Sequence, residues 1–149
     1  MIKRISLLRV SVFVFLVGMD RVTKYWAESN LAESLNAEFM SFALHYNSGI
    51  SFSLMSNLPT ISAFTGLLGV VFLGYFCIKI ALLRNLYGTI FLWAGVIGNF
   101  TDRLLRGHVI DWIYIGIYLN LADVWLCLGC SMLFVKIIKS YRRSQIDLI

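Results

Sequence analysis

The sequence predicts an all-α integral membrane protein, with four transmembrane helices and a small membrane-surface β-sheet on the outer face. Three observations predict it. Of 149 residues, 59% are apolar and 14% charged, against roughly half and about a quarter in soluble domains. The apolar residues fall in long runs, and the whole chain holds a single proline. The basic residues sit at the ends of those runs, so the net charge of +5 reads as positive-inside asymmetry and not as a nucleic-acid surface. The length suits one domain over residues 1–149, without repeat, linker or low-complexity segment.

The first span is read over residues 7–26. Lys3, Arg4 and Arg9 followed by the run Val10 to Met19 resemble a signal peptide, but no small-residue cleavage site follows. The span closes with Asp20, Lys24, Tyr25 and Trp26. Asp20 and Lys24 are one turn apart and can pair on one helix face, while the two aromatics suit an interfacial belt. The outer loop, 27–60, carries Glu28, Glu33 and Glu38 and neither Lys nor Arg. Within it Phe42, Leu44 and Tyr46 alternate with Ala43, His45 and Asn47, a period-two strand pattern. Ser48 and Gly49 read as a turn, and Ile50 to Leu54 as a second strand. His45 is isolated and reads as a surface strand residue, not a ligand.

The remaining spans are read over 61–83, 86–105 and 119–138, each near the ~20 residues that a bilayer demands. Lys79 can snorkel from the end of the second. Gly95 and Gly98 in the third would let another helix approach closely. Lys136, Lys139, Arg142 and Arg143 close the fourth. With Lys79, Arg84 and the two terminal clusters on one side and the acidic loop on the other, both termini are expected to be cytoplasmic.

The chemistry concentrates in Asn99 to Asp123. An ionisable residue at membrane depth is a functional hypothesis by default, and this stretch holds Asp102, Asp111 and Asp123. Asn99, Asp102 and Arg103 are spaced to share a helix face, as are Asn120 and Asp123. An unbroken helix would hold Asp111 and Asp123 about 18 Å apart. However, Ile113 to Tyr118 is β-branched and aromatic around Gly116, poor helix and plausible strand or turn. A reversal there would return Asp111 to Asp123. Two carboxyls in a low-dielectric site cannot both ionise, so one can activate a water while the other protonates a carbonyl or a leaving amine. Asn99, Arg103 and Asn120 would hold peptide carbonyls and orient the pair. The alternative for Asp102 is a structural ion pair with Arg103 or Arg106. The zincin H-E-x-x-H and serine G-x-S-x-G motifs are absent. Asp102, His108, Asp111 and Asp123 make a poor metal set, with one His and dispersed acids. Neither metal nor cofactor is expected.

At these residues the sequence resembles the lipoprotein signal peptidases, the type II signal peptidases of bacteria. Five blocks carry the likeness across nearly the whole chain. Asp20 to Lys24 resembles D-x-x-[ST]-K, and Asn47 to Ser53 resembles N-x-G-x-A-F-S. Gly98 to Arg103 matches G-N-x-x-D-R, Val109 to Trp112 resembles V-V-D-F, and Asn120 to Asp123 matches N-x-A-D. The resemblance implies an aspartic endopeptidase that cuts diacylglyceryl-modified prolipoproteins just before the lipobox cysteine. It implies Asp111 and Asp123 as the dyad and Asn99, Arg103, Asn120 and Asp102 as supports. Asp20, Lys24, Asn47 and Gly49 would contribute around the pocket, and the loop sheet would cradle the substrate. The site would lie at the outer (periplasmic) face of a monomeric, multi-pass protein of the bacterial inner membrane, in contact with lipid. Ser51, Trp112 and Leu119 depart from the usual alanine, phenylalanine and phenylalanine, bearing on pocket shape and inhibitor fit.

Two other classes compete. Cys127 and Cys130 have C-x-x-C spacing, which suits a membrane thiol–disulfide oxidoreductase, although two small residues facing a neighbouring helix explain them as well. A transporter or proton channel would use the acids as a relay.

Overall fold

A computed structural model describes residues 2–33, 38, 40–48, 59–79 and 87–146. Four helices dominate it: α1 (Ile2–Asn30), α2 (Pro59–Lys79), α3 (Tyr87–Arg106) and α4 (Leu121–Ile146). They contain 29, 21, 20 and 26 residues, so each is about 30 Å long or longer at 1.5 Å per residue. α3 is central and packs against the other three. Among the described residues, Leu121–Arg143 is the helix long and apolar enough to cross a membrane, with Gly66–Phe76 a shorter apolar stretch. The apolar runs of α1 and α3 are broken by Asp20, Arg21 and Lys24, and by Asp102 and Arg103. Those charges turn inward, with Asp20, Lys24 and Asp102 at most 1% exposed. Leu7, Val14, Phe15 and Val22 of α1, Phe72 of α2 and Phe134 of α4 are exposed instead. The polarity is thus inverted relative to a water-soluble bundle.

The expected approach of a helix at the third-span glycines is borne out. A Cβ on Gly95 would come within 2.5 Å of the Ala122 carbonyl oxygen and 2.6 Å of Leu126 Cγ, and one on Gly98 within 2.8 Å of Asp20 Oδ2. Gly95 lets α3 lie against the α4 backbone, and Gly98 makes room for the Asp20 carboxylate of α1 and the Ala122 methyl of α4.

The sheet differs from expectation in its pairing. Strand β1 (Ser41–Asn47) lies antiparallel to β2 (Val109–Tyr114), and β2 to β3 (Tyr118–Leu119), in the order β1-β2-β3. The loop strand thus pairs with the segment after α3. The second strand expected over Ile50 to Leu54 lies outside the described residues. The reversal expected near Gly116 is present, and Gly116 has φ 90°, a backbone that favours glycine. The alternation over 42–47 is broken by a bulge, because Phe42 faces Ile113 and His45 faces Asp111. Ala43 and Leu44 are both buried while Phe42 and Tyr46 are exposed, so the predicted apolar face is only half right. Ala27, Leu44, Ile110 and Trp112 form the core that seats the sheet on the end of α1. Trp26 meets Trp112 edge-on at 6.0 Å there.

Helix α4 begins at Leu121, two residues later than expected, and Leu119 belongs to β3. We predict that Gly95→Ala, which drives a methyl into the α4 backbone, lowers stability by about 1–3 kcal/mol, read as a lower melting temperature in detergent.

Candidate active site

The site is assembled at the N-terminus of α4, where the first backbone N–H groups lack helical partners. Asn120 precedes the helix as its cap. Its Oδ1 accepts from the Asp123 N–H at 3.1 Å, and the Asn120 N–H donates to Asp123 Oδ2 at 3.2 Å. This reciprocal pair is a capping box with Asp in the third helical position. The Ala122 N–H donates to Asp20 Oδ1 of α1 at 3.0 Å. The N-x-A-D block is therefore a helix-start motif. Its alanine is fully buried, with its backbone lying against Gly95.

Asp20 belongs to a buried cluster of two acids and two bases. Arg21 bonds Asp20 Oδ2 at 2.6 Å, Asp102 Oδ1, and the Gly98 carbonyl at 2.8 Å. Lys24 Nζ lies 3.1 Å from Asp20 Oδ2 and 2.7 Å from Asp102 Oδ2. The expected Asp20–Lys24 pair is thus present. The partners suggested for Asp102 are not, since Arg106 pairs with Glu28 at 3.0 Å and Arg103 donates to the Asn99 carbonyl at 3.4 Å. Asp102 faces α1, where the Lys24 ammonium that it meets also reaches Asn99. Burying charge is costly unless every charge is paired, and here four charges from α1 and α3 satisfy one another.

Asn99 joins this cluster to the acids. Its Oδ1 accepts from Lys24 at 3.0 Å, which fixes the amide so that Nδ2 donates to Asp123 Oδ1 at 2.7 Å. Asp111 arrives from β2. Asn120 Nδ2 donates to its Oδ1, and Asn47 Nδ2 to its Oδ2 at 3.0 Å. One asparagine, Asn120, therefore holds both carboxyls. Burial, reinforced by the nearby Asp123, pushes the Asp111 carboxyl up to about 7 against the pull of the Asn120 and Asn47 amides.

Both acids line a cavity of about 490 Å³. His45, Asn47, Asn99 and Arg103 complete its polar wall; Val109, Ile117, Leu119 and Leu126 are apolar. The Arg103 guanidinium interacts electrostatically with Asp123 and Asp111. Of the residues singled out in the sequence, Asp111, Asp123, Asn99, Arg103 and Asn47 thus meet at the cavity, and Asn120 lies directly behind it. Asp20, Lys24 and Asp102 form the cluster beneath, and Gly49 and Ser51 lie outside the described residues. Trp112 packs on Trp26 and Phe42 and does not line the cavity, whereas Leu119 does. Two residues were missed. Arg21 ties both buried acids, and only its place beside Asp20 hinted at this. His45 is half-buried on the cavity wall, because the bulge turns it there. Among the described residues, no group of three or more His, Cys, Asp and Glu side chains is arranged to hold a metal. Cys127 and Cys130 are free, exposed thiols, so they do not face a neighbouring helix; Gly129 between them does, packing on Gly88 and Leu92.

A helical bundle with buried charges, apolar exterior and two neighbouring carboxyls beside a cavity fits one class, the membrane aspartic hydrolases. The profile of one peptidase family, described as Signal peptidase (SPase) II, matches residues 12–139. Lipoprotein signal peptidases of Staphylococcus aureus strains JH9 and Newman are 30% identical over 143 residues, covering 87% of this chain and 87% of theirs. Two solved structures titled bacterial membrane enzymes, at 2.3 and 1.9 Å, superpose with TM-scores of 0.72 and 0.69 at 28% identity. The first alignment covers 90% of this chain and 89% of that one, the second 89% and 93%. The chain belongs to the signal peptidase II family and is an aspartic peptidase, a hydrolase of peptide bonds. None of these findings supports the thiol oxidoreductase alternative.

Two predictions follow from the buried charges. Asp102→Asn leaves Arg21 and Lys24 with Asp20 alone and costs about 3–5 kcal/mol of stability, measured by thermal unfolding in detergent. The second concerns Asp111, whose carboxyl titrates near 7 in the fold and near ~3.9 when unfolded. Between those values the folded chain holds the extra proton, so its stability falls as pH rises through that window. Asp111→Asn removes the effect, and its melting temperature should exceed wild type by a few degrees at pH 8, the difference closing toward pH 4.

Proposed function

We propose that the protein removes the signal peptide from bacterial prolipoproteins, cutting just before the diacylglyceryl-modified cysteine with Asp111 and Asp123 as its dyad. The observation that carries this reading is Asn120 bonded to both carboxyls at the cavity, in a chain of this family. The pair shares one proton. Asp111, whose burial keeps it protonated to about pH 7, is the acid, and Asp123 is the base. A water between them loses a proton to Asp123 and attacks the scissile carbonyl, whose oxygen takes the proton of Asp111. The tetrahedral gem-diol collapses as Asp123 returns its proton to the leaving amine and one of the diol hydroxyls gives its proton to Asp111, which releases the carboxylic acid and restores the dyad. No covalent intermediate forms. Arg103 on the cavity wall is available to hold a peptide carbonyl, Asn99 orients Asp123, and Asn47 and Asn120 orient Asp111.

The same reading makes the four helices membrane spans, with both termini cytoplasmic, one domain, a monomer, and the site at the outer face. The outward apolar side chains and the inward charges support it. The apolar wall of Val109, Ile117, Leu119 and Leu126 suits a lipid-modified substrate, whose acyl chains remain in the bilayer while the peptide bond meets the dyad.

The test is cleavage of a diacylglyceryl-modified prolipoprotein by the purified full chain, wild type beside Asp111→Asn and Asp123→Asn. Each variant should lose activity by about 10²–10⁴-fold or more, and chelator should leave wild type unchanged. Cleavage by both variants would overturn the dyad. The kcat of wild type should fall as pH rises past about 7, where the proton of Asp111 is lost.

A further inference from the structure

His45 stands outside the five family blocks, yet the fold spends a bulge on it. The irregularity between Phe42 and His45 sets His45 directly opposite Asp111 across the β1–β2 pair. Side chains paired in this way project from the same face of a sheet, and both line the cavity with Asn47, two residues along the same strand. The imidazole stacks on Tyr118 of β3, with ring centroids 4.4 Å apart and planes 21° from parallel. Its orientation is therefore held by the sheet on both sides, one strand carrying it and another supplying the ring beneath it.

The hydrogen bonds of the wall show what remains for a substrate. The amides of Asn47, Asn99 and Asn120 are directed at the dyad. His45 Nδ1 and Arg103 Nε are buried nitrogens of this wall without a hydrogen-bond partner. Buried polar atoms in folded proteins are nearly always paired, so each exception needs a reason. Arg103 belongs to a family block; His45 does not. Burial favours the neutral ring over the opposing influence of Glu33, and a neutral imidazole offers one donor and one acceptor. The charged groups around it are Glu33, Asp111 across the strand pair, and Arg103 and Asp123 on the same cavity.

We propose that His45, held flat by Tyr118, is a substrate-positioning residue: its Nδ1 hydrogen-bonds the main chain of the bound peptide beside the scissile bond and sets that bond over Asp111. The inference rests on the peptidase reading above. A main-chain contact from β1 gives grip without demanding a particular side chain, which suits an enzyme that must accept many precursor sequences.

The experiment compares wild type, His45→Phe, His45→Asn and Tyr118→Leu on the diacylglyceryl-modified prolipoprotein, with kcat, KM and melting temperature for each. His45→Phe keeps the ring and removes the nitrogen. It should raise KM by about tenfold, the effect of one lost hydrogen bond to a bound ligand, with kcat and melting temperature near wild type. His45→Asn places an amide atom near the position of Nδ1 and should recover most of that loss. Tyr118→Leu removes the stack and should also raise KM. Unchanged KM in His45→Phe overturns the inference while leaving the peptidase intact, as does a loss that Asn fails to recover. A folded wild type that never cleaves overturns the peptidase reading itself, and this inference with it.

Discussion

The structure depends on the mutual neutralisation of four charges, three of them fully buried and the fourth, Arg21, half-buried. Asp20, Arg21, Lys24 and Asp102 balance at two negative and two positive. Each would be prohibitively costly alone in an apolar setting. Because Asp20, Arg21 and Lys24 come from α1 and Asp102 from α3, the balance exists only when these helices are docked. The docking in turn places Asp20 over the open end of α4, where it caps Ala122, and places Lys24 under Asn99. From there a single amide carries the arrangement to Asp123. Charges paired between two helices thus set the position of the Asp123 carboxyl on a third.

A second constraint is the origin of the two acids in different kinds of element. Asp123 is fixed by a helix start and Asp111 by a strand. Asn120 reaches both and so converts the geometry of the α4 cap into the spacing of the carboxyls. Strand β2 is anchored by its own core, Ile110 and Trp112 on Ala27 and Leu44, and by β1, whose Asn47 reaches Asp111. Packing of the sheet on the end of α1 and packing of the helices on one another therefore have to agree at one point, the cavity.

Much of this was legible in the residues. The glycine among β-branched and aromatic residues at Gly116 marked the reversal that joins Asp111 to Asp123. Gly95 and Gly98 marked the close helix contact, because small residues have one efficient use there. Asn120 and Asp123 were found by their spacing, although the spacing was read as a shared helix face when it is a cap. What was not legible depends on long-range pairing. Period-two alternation in β1 identifies a strand but not its partner, so a neighbour in the loop was expected where β2 lies. A bulge leaves no mark in an alternating pattern, which is why Phe42 and Leu44 do not share a buried face and why His45 faces the cavity. Arg21 was passed over because adjacent helix residues do not usually serve one site; a guanidinium long enough to span Asp20 and Asp102 does. Cys127 and Cys130 were given a packing role that belongs to the glycine between them.

The cavity has a mixed lining, with Asp111, Asp123 and Arg103 beside Val109, Ile117 and Leu126. A molecule that competes for it must be amphiphilic, and an amphiphile partitions into whatever lipid or detergent surrounds the protein. Its effective concentration is then set by mole fraction in that phase, not by molarity in the buffer. Apparent potency will shift with the amount of detergent or lipid present, so comparisons between compounds hold only at a fixed ratio of ligand to amphiphile.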